Sequence, residues 1–143
     1  MKSKGFSLIE ILIIIAVIGI LSLISLPIYR SINPTLSLNA NTRQIASHLR
    51  QAQQLAVEEQ NNYTAVFDIN TNYYEIINMQ SSSTVISQTL QNNITIDSIS
   101  NLTDNTVTFT ITGSALESGE IILKNANNET KNIEIKPSGY VKI

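Results

Sequence analysis

A long apolar run with a single carboxylate inside it constrains this chain more than any other feature. Between Lys4 and Arg30 the only charged side chain is Glu10, and the stretch from Ile11 to Ile28 is almost wholly apolar. About 20 apolar residues at 1.5 Å each cross the ~30 Å hydrocarbon core of a bilayer. The run, with the turn Phe6 to Ile9 ahead of it, meets that length and predicts a membrane-spanning helix over residues 6–29. A carboxylate there costs about 2.5–3.5 kcal/mol at mid-bilayer and less near an end. Glu10 therefore needs a functional reason and a partner. Lys2 and Lys4 precede the run and only Arg30 follows it closely, which places the N-terminus in the cytoplasm and the C-terminal domain outside.

Two ordinary explanations fit less well. A secretory signal peptide has a shorter apolar core, about 7–15 residues, followed by a small-residue cleavage site. Here the segment Leu23-Ile24-Ser25-Leu26-Pro27-Ile28-Tyr29 offers no such site. A plain membrane anchor explains length and charge bias but leaves Glu10 without a purpose.

The motif Gly5-Phe6-Ser7-Leu8-Ile9-Glu10 resembles the processing site of type IV pilins and type II secretion pseudopilins. The resemblance implies that residues 1–5 are a leader removed by prepilin peptidase after Gly5. It implies that the new terminus, Phe6, is N-methylated, and that Glu10 with Phe6 directs subunit assembly. Gly19 and Pro27 interrupt the helix, and such residues are also common in membrane helices. In pilins a glycine and a proline at these offsets bound a stretch that loses helical order when the subunit enters the filament.

Composition limits the part of the chain beyond the span. Removing leader and span leaves roughly 110 residues, enough for one modest core. The formal charge of −2 and pI near 5.3 give no global attraction to nucleic acid. Cysteine is absent, so the exported domain has no disulfide and no thiol chemistry. Many pilins close their C-terminal region with a disulfide, and this chain departs from them. Its abundant asparagine suits Asn-rich turns between strands, and equally an AT-rich genome.

Past Arg30 the helical period returns. Leu38, Ile45, Leu49, Ala52 and Ala56 share one face, with Thr42, Arg43, Gln44, Ser47, Arg50, Gln51, Gln54 and Glu58 on the rest. Asn33-Pro34 predicts a bend, with the amphipathic part running from about Ser37 to Gln60. From Tyr63 the period becomes two. Tyr63–Ile69 and Tyr73–Met79 read as a hairpin, and so do Thr84–Leu90 and Ile94–Ile99. Thr106–Thr112 reads as a half-buried strand with Val107, Phe109 and Ile111 inward. Gly119–Lys124 and Lys131–Ile135 flank an asparagine turn, and Gly139-Tyr140-Val141-Lys142-Ile143 closes the chain as a short last strand. The expected fold is α+β: a long N-terminal helix, membrane-spanning in its first half and amphipathic in its second. The second half packs on one antiparallel sheet or between two small sheets. The expected divisions are 1–5 leader, 6–29 transmembrane and assembly helix, 30–61 exported half of the helix, and 62–143 β-rich soluble domain.

Within the superfamily the chain resembles the GspH/FimT-type minor pseudopilins and minor pilins. The resemblance lies in Thr42 to Ala52, Val107 to Gly113 and the terminal Gly139-Tyr140-Val141. It implies a structural subunit near the tip of a type II secretion pseudopilus or type IV pilus, held first in the cytoplasmic membrane. Its partners are then prepilin peptidase, other pilins in a helical filament and the inner-membrane assembly platform. The alternatives are a major pilin subunit and a DNA-binding minor pilin of natural transformation. FimT-type DNA binders carry glycine, arginine, any residue, arginine near the C-terminus. Here Gly139-Tyr140-Val141-Lys142 keeps only a lysine, which contacts phosphate without arginine's planar fork. Lys142, with Lys124, Lys131 and Lys136 nearby in sequence, is left to make a weak DNA contact, and nucleic acid is not expected as a partner. In the competing structural reading Tyr140 and Val141 pack while Lys142 is solvated. His48 is the only histidine, so no cluster of histidines can hold a metal, and a partly exposed structural role is expected for it. Asp97, Asp104, Glu117 and Glu120 lack the spacing of a calcium loop. No catalytic residue, metal or cofactor is expected; the chain is the substrate of an enzyme rather than one itself.

Overall fold

The computed structural model describes residues 7–90 and 93–143, and for residues 23–32 the backbone alone. Gly5 and Phe6 lie outside the described residues. The chain divides into two compact units, residues 1–33 and 34–143.

The first unit is helical. Helix α1 spans Leu8–Glu58 and so continues into the second unit. The bend expected at Asn33-Pro34 is not a break in the helix. Proline's fixed φ is itself helical, so its cost is one lost hydrogen bond and a crowded carbonyl rather than a forbidden backbone. Side chains from Leu8 to Leu21 are solvent-exposed on every face, Leu8 to 80%. Among the described residues no helix is long and apolar enough to cross a membrane. This differs from the span read in the sequence, because the described apolar side chains stop at Ser22 and fall short of about 20 residues.

Among the described residues, the second unit holds the rest of α1 and eight strands, β1 Tyr63–Asp68, β2 Tyr73–Asn78, β3 Ser83–Thr89, β4 Thr95–Ser100, β5 Thr106–Phe109, β6 Gly119–Lys124, β7 Thr130–Ile135 and β8 Val141–Lys142. They form two antiparallel four-stranded sheets, ordered β3-β2-β1-β5 and β4-β6-β7-β8. One core takes side chains from the helix and both sheets. Leu38, Ile45, Leu49, Ala52 and Ala56 are all buried, as the periodicity predicts, and Ala46 joins them. Thr42 is a correction: it is buried rather than on the polar face. Its hydroxyl donates to the Leu38 carbonyl at 2.7 Å, which satisfies the polar atom within the helix.

The β1–β2 hairpin forms as expected, with Phe67 opposite Tyr74 and their rings stacked at 5.6 Å. The β6–β7 hairpin also forms. β3 and β4 do not form one. β3 pairs with β2 and β4 with β6, so the chain crosses between sheets, a long-range choice that local period does not encode. β5 ends at Phe109, and Ile111 is 44% exposed rather than inward. The strand stops because the Gly113 amide closes a turn onto the Thr110 carbonyl at 2.8 Å.

Asparagine has a structural use. Asn72, Asn93, Asn101, Asn105 and Asn128 all take positive φ, a region that asparagine tolerates better than most residues. Asn125 closes the β6–β7 turn by accepting from the Asn127 and Glu129 amides at 3.0 and 2.9 Å.

Candidate functional site

The N-terminal site begins where α1 begins. Ser7 precedes the helix, and its carbonyl accepts from the Glu10 and Ile11 amides at 3.0 and 3.3 Å. Glu10 turns back toward the helix start, where its Oε2 lies 3.4 Å from the Ser7 amide. This is the return half of a capping box, a carboxylate at the third helical position set among amides that have no partner in the helix. The carboxylate thus sits at the helix end whose dipole favours negative charge. Around it Leu8, Ile9, Ile11 and Leu12 are exposed, so an anionic group stands in an apolar surface with no cation beside it among the described residues. Such an arrangement can receive a positive group on an incoming apolar helix.

Gly19 has nothing within 4 Å of where a Cβ would stand, so packing does not demand glycine there. Pro27 lies in the helix, and its side-chain surroundings lie outside the described residues.

The C-terminal tail does not gather a basic site. Lys142 is exposed and stands opposite Glu134 in the β7–β8 register. Lys136 is ion-paired with Glu134, and that contact holds the Glu134 carboxyl below its usual range. Lys124 pairs with Asp97 at 3.2 Å. Val141 is buried, as expected of a packed last strand, but Tyr140 is 61% exposed, a correction to the expectation that both residues pack. Tyr140 is the last residue of the turn before β8, where its carbonyl bonds the Lys136 amide at 2.9 Å.

His48 has a structural setting. Its Nδ1 is 2.7 Å from the Tyr74 hydroxyl, and burial lowers its pKa. Tyr63 and Tyr74 are both buried within the first sheet. The Tyr63 hydroxyl donates to Glu59 and accepts from Asn78 Nδ2 at 3.0 Å, which ties the end of α1 to the sheet. Among the described residues no group of acidic, histidine or cysteine side chains could hold a metal ion.

The sequence reading missed a clasp that fixes the tail. Gln53 donates to the Gly113 carbonyl at 2.6 Å, and Arg50 donates to the Val141 carbonyl at 2.9 Å. Gly139 passes so close to Gly113 and Gln53 that a Cβ there would overlap both. The one available signal was a glycine four residues from the end of a chain that has few.

Two family models match the chain. Residues 1–26 match the prokaryotic N-terminal methylation motif, and residues 41–139 match the type II transport protein GspH. No curated protein matches it in sequence. Among solved structures, the type IV minor pilin FimU of Pseudomonas aeruginosa is similar at 13% identity. That match covers 74% of this chain and 87% of FimU, with a TM-score of 0.60. The minor pseudopilin EpsH of the Vibrio cholerae type 2 secretion system is similar at 8% identity. It covers 74% of this chain and 94% of EpsH, with a TM-score of 0.61. These likenesses show a shared α+β fold of a helix packed on antiparallel sheets. Since the GspH model spans most of the chain and the methylation motif precedes it, the chain belongs to the GspH family of pilin-type subunits.

Proposed function

We propose that this chain is a minor pilin or pseudopilin, placed near the tip of a type II secretion pseudopilus or type IV pilus, where it supports protein secretion or pilus biogenesis. It is anchored in the cytoplasmic membrane with its C-terminal domain outside. Prepilin peptidase cuts after Gly5 and methylates Phe6, and the assembly platform then passes the subunit into a filament of other pilins. The chain is the substrate of that enzyme and has no catalytic role of its own.

The observation that carries this reading is the Glu10 carboxylate, turned back to the Ser7 amide at the start of an exposed apolar helix. Once the leader is gone, the amino group of Phe6 is the cation nearest in sequence. Two unit charges 4 Å apart attract by about 4 kcal/mol at an effective dielectric of 20, before desolvation is subtracted. That is enough to bring an arriving helix into register. Gly19, which no packing contact requires, supports a role for Gly19 and Pro27 in letting the helix loosen as the subunit leaves the bilayer.

The test is to express Glu10→Leu beside wild type. The variant is expected in the membrane and cut normally, with its share of sheared filaments reduced at least about tenfold. Normal recovery in filaments would remove Glu10 from assembly.

A further inference from the structure

The two sheets have four edges, and three of them are closed. β8 has two residues, carries Lys142, and gives its Val141 carbonyl to Arg50 at 2.9 Å. β5 is covered by the segment after it, where Ala115 bridges Phe109 and the Leu116 amide donates to the Thr108 carbonyl at 2.9 Å. β4 carries Asp97 and gives its Ile96 amide to the Asn72 side-chain oxygen at 2.8 Å. These are familiar guards: a short strand, a charge, a covering loop.

β3 differs. Its seven residues, Ser83–Thr89, contain no charge, proline or glycine, and Val85 is 44% exposed. A bulge opposite Ile76-Ile77 puts Val85 out of register and leaves Ile86 to Thr89 as the regular stretch. The Leu90 amide bonds the Asn72 carbonyl at 2.9 Å, so by antiparallel alternation Ser87 and Thr89 turn their backbone groups outward. Among the described residues, nothing outside the sheet bonds the Ser87 backbone. The Thr89 carbonyl has only the Gln88 side-chain amide, at 3.5 Å. An uncharged edge with outward amides and carbonyls is a template for another strand.

Charge selects the kind of strand that fits. No lysine or arginine occurs between Gln51 and Leu123, so every strand of this sheet is free of cations. Glu75 lies opposite Ser87 on β2, with its carboxylate drawn to the β3 side by the Thr84 hydroxyl at 3.1 Å. Asp68 closes β1 opposite Tyr73, whose partner on β3 is Thr89. A lysine or arginine on a strand added beside Ser87 has its backbone about 10 Å from that of Glu75, two strand spacings, and its long side chain shortens the gap. A second copy of this sheet would bring only like charge.

We propose that β3 is a docking edge for an extended segment of another protein, one bearing lysine or arginine, which joins the sheet beside Ile86–Thr89. This inference is independent of the assembly reading, since it concerns residues 34–143 alone.

The test titrates the full chain, in non-ionic detergent at low salt, with a labelled short peptide alternating lysine with valine. Two control peptides carry glutamate for lysine, or N-methylated amides on alternate residues. The parent peptide is expected to bind, with both controls weaker by at least about tenfold. Ser87→Pro removes an outward amide while sparing the ladder to β2, and should weaken the parent peptide by a similar factor. Ser87→Lys, which keeps the backbone and repels the peptide, should do the same and decides the matter if the proline variant unfolds. Absence of binding overturns the proposal, as does binding that Ser87→Lys and N-methylation leave intact, or equal binding of the glutamate peptide. Self-association of the chain that Ser87→Lys abolishes would name a second copy as the occupant and overturn it as well.

Discussion

The Gln53 side-chain amide and the Gly113 carbonyl meet at 2.6 Å, and Gly139 passes directly over that contact. Gly139 takes a φ of +79°, and a Cβ there would overlap the Gly113 carbonyl oxygen. Backbone strain and steric overlap act together, since a side chain is disfavoured at this φ even where space exists. Gly139→Ala should therefore destabilise the second unit by more than about 2 kcal/mol, beyond what an ordinary surface change costs. Thermal unfolding followed by circular dichroism measures it. A variant as stable as wild type would show that the tail does not close over Gly113.

Leu49 is 1% exposed and belongs to the core shared by the helix and both sheets. Leu49→Asp buries a charge without a partner, and the loss should exceed about 3 kcal/mol, a large fraction of a small domain's stability. Leu36→Asp, at a site 60% exposed, should leave stability within about 0.5 kcal/mol. Protease resistance of the two variants distinguishes them. Equal resistance would mean that the helix presents a different face.

Much of this was legible in the sequence. The 3.6-residue period from Leu38 to Ala56 identified the buried helical face, because a single stripe had to meet the sheets. Thr42 escaped it, since a hydroxyl that bonds its own helix is buried at little cost and looks polar in the sequence. The β1–β2 and β6–β7 hairpins were legible because their turns are local. The separation of β3 from β4 was not, because β4 finds its partner in β6, beyond a β5 that belongs to the other sheet. Glu10 stood out in the sequence from the cost of placing it in an apolar helix, and the structure adds the turn of its carboxylate back to the Ser7 amide. The Gln53, Gly113 and Gly139 clasp joins positions distant in sequence, and no short motif announces it.

Burial pushes the Tyr74 phenol from its ordinary value of 10 up to about 12, and the Tyr63 phenol is raised as well by its bond to Glu59. Below the ordinary value both folded and unfolded chains keep the proton, and the contribution is fully present. As pH rises from 10 toward 12 the unfolded chain ionises first, and stability is lost. The denaturant midpoint should fall through this window, and fall less steeply in Tyr74→Phe. An unchanged slope in the variant would contradict the assignment.

Affinity for duplex DNA needs several unpaired cations along phosphates. Lys136 and Lys124 are engaged by Glu134 and Asp97, and Lys142 faces Glu134 across the ladder. The chain should bind duplex DNA weakly or not at all near physiological salt. A gel-shift titration giving low-micromolar affinity, lost in Lys142→Ala, would reverse this and make DNA uptake the leading function.

The central claim is that this chain is processed as a pilin before it assembles. Mass spectrometry of the protein purified from cells with active prepilin peptidase tests it most directly. The account predicts a chain that begins at N-methylated Phe6, and predicts that Gly5→Val retains its leader, because only glycine lets the backbone approach the peptidase closely. A wild-type protein that keeps Met1 to Gly5 in such cells would contradict it.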